Sequence, residues 1–140
     1  MPCLEMTLPK IDDSTKTELT ERLTSVFADI TGFEPEIFGI CFKEYDRGNA
    51  ASGGKLWHGG EDRPYLHFVL YTSRTKKSVK QSLVDKFTSV FIDVIGKPDW
   101  KPVIHLIENP YDNVGVNGQL LSDQYDECKN RKFYYDTSDE

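Results

Sequence analysis

The segment STKTELTERLTSVFADITG at 14–32 returns sixty-four positions later as SVKQSLVDKFTSVFIDVIG at 78–96, with nine of nineteen positions identical and no gap. A repeat of that length and period restricts the chain to architectures built from two copies of one unit. The echo continues past the helical pattern, since Ile40, Phe42 and Glu44 fall on Ile104, Leu106 and Glu108 at the same offset. Each copy reads as strand, helix, strand. CLEMTL at 3–8 alternates Leu4, Met6 and Leu8 with Cys3, Glu5 and Thr7, the period of two expected of a half-buried strand. Asp12, Asp13 and Ser14 then offer capping oxygens, Leu19, Leu23, Val26, Phe27 and Ile30 keep helical spacing, and Gly32 supplies a left-handed stop. FGICFKE at 38–44 is the second strand and YLHFVLYT at 65–72 the third. Ser73 is the expected cap of a second helix, whose stripe of Val79, Leu83, Phe87, Val90, Phe91 and Val94 ends at Gly96 and Pro98. PVIHLIE at 102–108 is the fourth strand.

A chain of 140 residues can bury one adequate core but seldom two, so the copies are read as halves of one fold. The expectation is a single α/β (α+β) domain over 1–140, with pseudo-repeats 2–62 and 63–121 and a tail at 122–140. Two right-handed β-α-β crossovers in one sheet put both helices on one face of a four-stranded mixed sheet. Parity turns Leu4, Met6, Ile40, Phe42, Phe68, Leu70, Ile104 and Leu106 toward the helices. The opposite face carries Cys3, Glu5, Thr7, Cys41, Lys43, His67, Val69, Tyr71, Val103, His105 and Ile107. It is too apolar to be simply wetted and too polar for a closed core, so subunits are expected to associate around it.

Net charge is −6, which removes the basic footprint of a nucleic-acid binder. No apolar run approaches the ~20 residues of a membrane span, and the N-terminus lacks a secretion pattern, so no membrane partner and a cytoplasmic location are expected. Cys3, Cys41 and Cys128 lie far apart, match no zinc spacing and read as reduced thiols. His58 has no partner spacing for metal either, and neither metal nor cofactor is expected. The glycine-rich stretch DRGNAASGGKLWHGGED at 46–62 holds no phosphate-binding pattern and reads as a mobile or hairpin-like connection. NPYDNVGVNGQLL at 109–121 is turn-rich, and the tail beyond it carries four aromatics that either wrap a neighbouring subunit or trail off in disorder.

The copies disagree before their helices. Lys10, Asp12 and Asp13 precede the first, whereas Arg74, Lys76 and Lys77 stand at the matching positions before the second. Acids are favoured at a helix N-terminus by roughly 0.3–1 kcal/mol and cations disfavoured by as much. Cations gathered beside free backbone N–H groups make an anion site, and a carboxylate or phosphate would offset that penalty. The ordinary alternative is a solvated basic face, because Lys80 and Lys86 continue the charge along the helix. The second sign is Met1-Pro2, a context that favours removal of the initiator methionine. A free α-amino group has a reference pKa of ~7.7–8.0, lowered by burial or adjacent cations, which makes a usable base at neutral pH.

With these features together, residues 2 to about 121 resemble the tautomerase superfamily, built from β-α-β units with an amino-terminal proline and assembled as trimers, or as hexamers of the shorter forms. TSRTKKS at 72–78 resembles the arginine-bearing segment of the malonate semialdehyde decarboxylase and cis-3-chloroacrylic acid dehalogenase groups. That resemblance implies a carboxylate-binding Arg74, with Lys76 where the decarboxylase pattern has a second arginine. GGKLWHGGED is similar to the dehalogenase group's glycine-rich loop, and NVGVNG at 113–118 to the closing segment of macrophage migration inhibitory factor. Departures matter as much: Phe27 stands for the dehalogenase histidine, His105 for its active-site tyrosine, and Val116 for its water-activating glutamate.

The resemblance therefore implies a homotrimeric tautomerase (isomerase) without cofactor, acting on a small 2-keto or enol carboxylate. Pro2 would be the base, Arg74 with Lys76 the carboxylate clamp, and Asn117 or His105 the group polarising the carbonyl. Two alternatives stay open. One is a non-catalytic trimeric binding or signalling protein on the same scaffold. The other is a haloacrylate dehalogenase or malonate semialdehyde decarboxylase-like lyase that activates water through Glu5, Glu36 or Glu108.

Overall fold

The computed structural model of the chain describes residues 2–124; Met1, Cys128 and the rest of the tail from 125 onward lie outside the described residues. Strand β1 (Cys3–Pro9) leads into helix α1 (Asp13–Thr31), and β2 (Gly39–Tyr45) completes the first unit. The second unit is β5 (His67–Thr72), α2 (Lys77–Ile95) and β6 (Val103–Glu108). The four strands make one sheet in the order β2-β1-β5-β6, parallel within each unit and antiparallel where β1 meets β5. Glu5 pairs with Val69 across that central seam, and these residues are themselves sixty-four apart. The pseudo-two-fold axis relating the units therefore passes through this one pair.

Alternation along the strands decides what is buried. On the central strands Leu4, Met6, Leu8, Phe68 and Leu70 are at most 1% exposed, packed under Leu19, Leu23 and Phe27 of α1 and Leu83, Phe87 and Phe91 of α2. Ile40, Phe42, Ile104 and Leu106 of the edge strands pack against the rim of that core. The helices lie side by side on this face, bridged by Arg22 and Asp93 at 2.6 Å. On the other face Val103 and Ile107 remain 42% and 41% exposed, and Lys43 meets Glu5 at 2.5 Å.

The helix ends differ where the copies differ. Asp12 caps α1, its Oδ1 accepting the Thr15 N–H at 2.8 Å, and Gly32 and Gly96 close both helices at φ 76° and 74°. Ser73 does not cap α2: the helix begins later, at Lys77, and its N-cap Lys76 makes no side-chain cap bond. The intervening turn is claimed from a distance instead, because Glu108 Oε2 accepts the Thr75 N–H at 2.8 Å.

The connection at 46–62 folds as a hairpin of β3 (Ala51–Ser52) and β4 (Lys55–Leu56). Its two-residue turn, Gly53-Gly54, takes φ of 59° and 81°, the primed geometry that matches strand twist. After β6 come a 3₁₀ turn at Tyr111–Asn113, a second small hairpin of β7 (Gly115–Val116) and β8 (Gln119–Leu120), and the short helix α3 (Leu121–Gln124). No described helix is long and apolar enough to cross a membrane.

Candidate active site at Pro2

Pro2 stands just before β1, its carbonyl accepting the Gly39 N–H at 3.1 Å. The β1–β5 register brings Pro2 level with Thr72, at the end of the sheet where β5 and β6 both terminate. Here a cavity of about 420 Å³ opens. One wall is the turn after α1, with Phe33, Glu34 and Ile37; a second is Tyr71, Thr72 and Ser73; a third is Asn109, Tyr111, Val114 and Leu121 from the segment after β6. Phe33 is backed by an aromatic stack, 6.0 Å from Phe27, which in turn lies 4.2 Å from Phe38. Asn109 N–H donates to Thr72 O at 2.8 Å, and Leu121 N–H donates to Val114 O at 2.9 Å, so the second and third walls are pinned by backbone bonds.

The site residues named from the sequence fall into two groups. Pro2 lines the cavity, and Arg74 follows directly on its lining residue Ser73. Lys76 is the N-cap of α2 two residues further. His105 lies elsewhere on the single chain: its partner is Val69, opposite Glu5. That separates it from Pro2 by two strand spacings of ~4.8 Å and three residues of ~3.3 Å. Asn117 occupies the exposed β7–β8 turn at φ 55°, beside Gly118 at φ 80°, so an Asn-Gly turn accounts for it locally.

The water-activating candidates also separate. Glu108 is engaged by Thr75 N–H and by Lys80 Nζ at 3.0 Å, and Glu5 by Lys43. Glu36 is exposed in the 3₁₀ turn at Pro35–Ile37, while Glu34, its neighbour but one, lines the cavity. Sequence reasoning missed Glu34, Tyr71 and Asn109. A signal for Glu34 was present: it sits two residues after the left-handed Gly32, where the chain must turn back over the sheet.

On the bare face, Tyr65, His67 and His105 form a run of stacked rings, with centroids 4.1 Å and 5.7 Å apart. Desolvation, aided by the neighbouring His105, holds His67 below the ordinary imidazole range. Burial pushes the Cys3 thiol up, with Glu5 acting in the same sense. Cys3 and Cys41 are both free. Among the described residues no group of three or more His, Cys, Asp or Glu could hold a metal ion.

No protein-family model and no curated protein matches the chain. Solved structures do. A native fused 4-OT aligns over 86% of this chain and 97% of its own, at 23% identity and a TM-score of 0.79. A wild-type fused 4-OT asymmetric trimer covers 87% and 98%, at 20% identity and 0.78. A member of the cis-3-chloroacrylic acid dehalogenase family covers 84% and 82%, at 21% identity and 0.71. With both β-α-β units included in these alignments, the chain has the fold of the tautomerase superfamily.

Proposed function

We propose that this chain is a tautomerase-like enzyme that moves a proton between carbon and oxygen of a small 2-keto or enol carboxylate, with Pro2, freed by removal of Met1, as its base. One observation carries the reading: Pro2 lines a cavity at the same end of the sheet as the cationic segment Arg74–Lys77. The largely apolar walls suit the body of such a substrate and exclude water from the proton in transit. Pro2 nitrogen takes the proton and returns it, while Arg74 and Lys76 hold the carboxylate and stabilise developing enolate charge. Asn117 or His105 polarises the carbonyl, His105 from a neighbouring subunit because it stands two strands and three residues from Pro2. The functional unit is a homotrimer of one-domain chains spanning 1–140, associated around the bare sheet face. The asymmetric-trimer form of a fused 4-OT with this fold supports that assembly.

The test is turnover of phenylenolpyruvate by Met1-processed protein and its Pro2→Ala variant; equal, slow rates would end the proposal. Intact mass comes first, because retained Met1 makes Pro2 nitrogen an amide without basicity. A processed protein whose Pro2 titrates like an ordinary amine and turns nothing over is a non-catalytic scaffold. Glu34 favours a second reading, a water-activating lyase or dehalogenase, because it places a carboxylate on the cavity wall. Product formation from 3-haloacrylates or malonate semialdehyde, abolished in Glu34→Gln, would select it.

A further inference from the structure

Glu108 ends β6 and reaches the segment that starts α2. Its Oε2 accepts the Thr75 N–H at 2.8 Å and its Oε1 meets Lys80 Nζ at 3.0 Å. These two grips bracket Lys76, and Arg74 immediately precedes the gripped residue. Copy one carries the same strut sixty-four residues earlier, with Glu44 accepting the Ile11 N–H at 2.8 Å and meeting Lys16 Nζ at 2.6 Å. There the start of the helix has a second fixing, the Asp12 side-chain cap on Thr15. Lys76 provides no such cap, so the Glu108 strut joins the local bond from Thr75 Oγ1 to Ser73 O at 3.0 Å in restraining the turn before α2, and it ties that turn to the end of β6.

We infer that Glu108, held by Lys80, is the positioning residue for the carboxylate-binding segment Arg74–Lys76; this rests on the reading above that the segment takes the substrate's carboxylate. Glu108 touches no substrate. It fixes the backbone between two cations, and those cations then meet the ligand without first ordering the turn that bears them. The Lys80 and Glu108 side chains are 28% and 21% exposed, so solvent screens this pair less than a surface one. Two accounts of Glu108 give opposite signs. As a mere negative charge beside Arg74 and Lys76 it opposes an incoming anion, and neutralising it would tighten carboxylate binding. As a positioning group it favours the anion, and neutralising it weakens binding.

The experiment compares phenylpyruvate with its methyl ester as ligands of processed wild type, Glu108→Gln, Glu44→Gln and Arg74→Ala. Glu108→Gln is expected to weaken phenylpyruvate by roughly 10-fold while leaving the ester unchanged. KM for phenylenolpyruvate rises, and kcat falls with it because the same cations stabilise developing enolate charge. Hydrogen exchange at the Thr75 amide quickens in the same variant. Glu44→Gln, which loses the equivalent strut in copy one, leaves the acid-to-ester ratio at the wild-type value. Equal or tighter phenylpyruvate binding by Glu108→Gln, or equal weakening of acid and ester, overturns the inference. An unchanged ratio in Arg74→Ala overturns the site reading itself; a ratio lowered there but not in Glu108→Gln overturns positioning alone. Should Glu108→Gln fail to fold, Lys80→Met serves: it keeps the Thr75 bond and frees the carboxylate. A smaller loss of the ratio in Lys80→Met supports the inference, and no loss overturns it.

Discussion

The two ends of the sheet are related by the pseudo-two-fold axis, yet one is open and the other is filled. Around Pro2 the chain leaves a cavity of about 420 Å³. At the equivalent end Leu66 replaces Pro2 and is 3% exposed, and Trp100, at the position matching Glu36, is 9% exposed. Tyr45 stands where the cavity has Asn109, and its hydroxyl donates to Tyr65 O at 2.6 Å. Lys97 covers the Trp100 ring at 4.5 Å, and Arg63 donates to Lys101 O at 2.9 Å. What remains there is a shallower groove of about 220 Å³ between α1 and the Trp100 turn. Duplication has produced one scaffold and two fates: aromatic filling makes one end a stability element, and the absence of filling leaves the other free to bind.

This contrast predicts opposite phenotypes at matching positions. Pro2→Ala should lower kcat on phenylenolpyruvate by roughly 10²- to 10⁴-fold, the usual contribution of a positioned general base, with little change in thermal stability. Leu66→Ala should do the reverse, costing about 2–5 kcal/mol in denaturant unfolding with turnover per folded protein retained. Trp100→Ala should cost about 3–5 kcal/mol for the same reason, and activity lost along with it would break the division between the two ends.

A smaller effect is expected at the helix starts. Asp12→Ala removes a working cap and should cost about 1 kcal/mol. Lys76→Asp installs a capping side chain at the matching place, so stability should rise while carboxylate affinity falls. A rise in both would show that the cationic start of α2 serves no ligand.

The smallest effect is confined to alkaline pH. Desolvation pushes the Tyr45 hydroxyl up to about 12. The unfolded side chain titrates near ~10, so the folded state holds this proton more tightly and the benefit is complete below pH ~10. It is lost as pH rises from there through the folded value. Unfolding followed over that range should show the decline in wild type and a flatter profile in Tyr45→Phe.

Much of the fold was legible in the sequence because it is written in local periodicity. Leu4, Met6 and Leu8 at a spacing of two, Leu19, Leu23 and Phe27 at a spacing of four, and the stops at Gly32 and Gly96 each report on their own element. The cap expected at Ser73 fails because α2 begins at Lys77: its N-cap is Lys76, the position matching Asp12 of copy one, and Ser73 stands three residues too early. Glu34, Tyr71 and Asn109 were missed as cavity residues for a different reason. They sit at element ends and turns, where periodicity stops and neighbours come from other segments.

By itself the sequence determined the two-copy architecture, the apolar face of each element and the broken charge symmetry before the helices, all consequences of residue type at fixed spacing. Tertiary structure alone decided that Glu5 meets Val69, that Pro2 thereby comes level with Thr72, and that Trp100 and Tyr45 close one end while the other stays open. Those outcomes depend on register and packing between segments distant in the chain, where each side chain's place is fixed by the volume and hydrogen bonds its partners leave available.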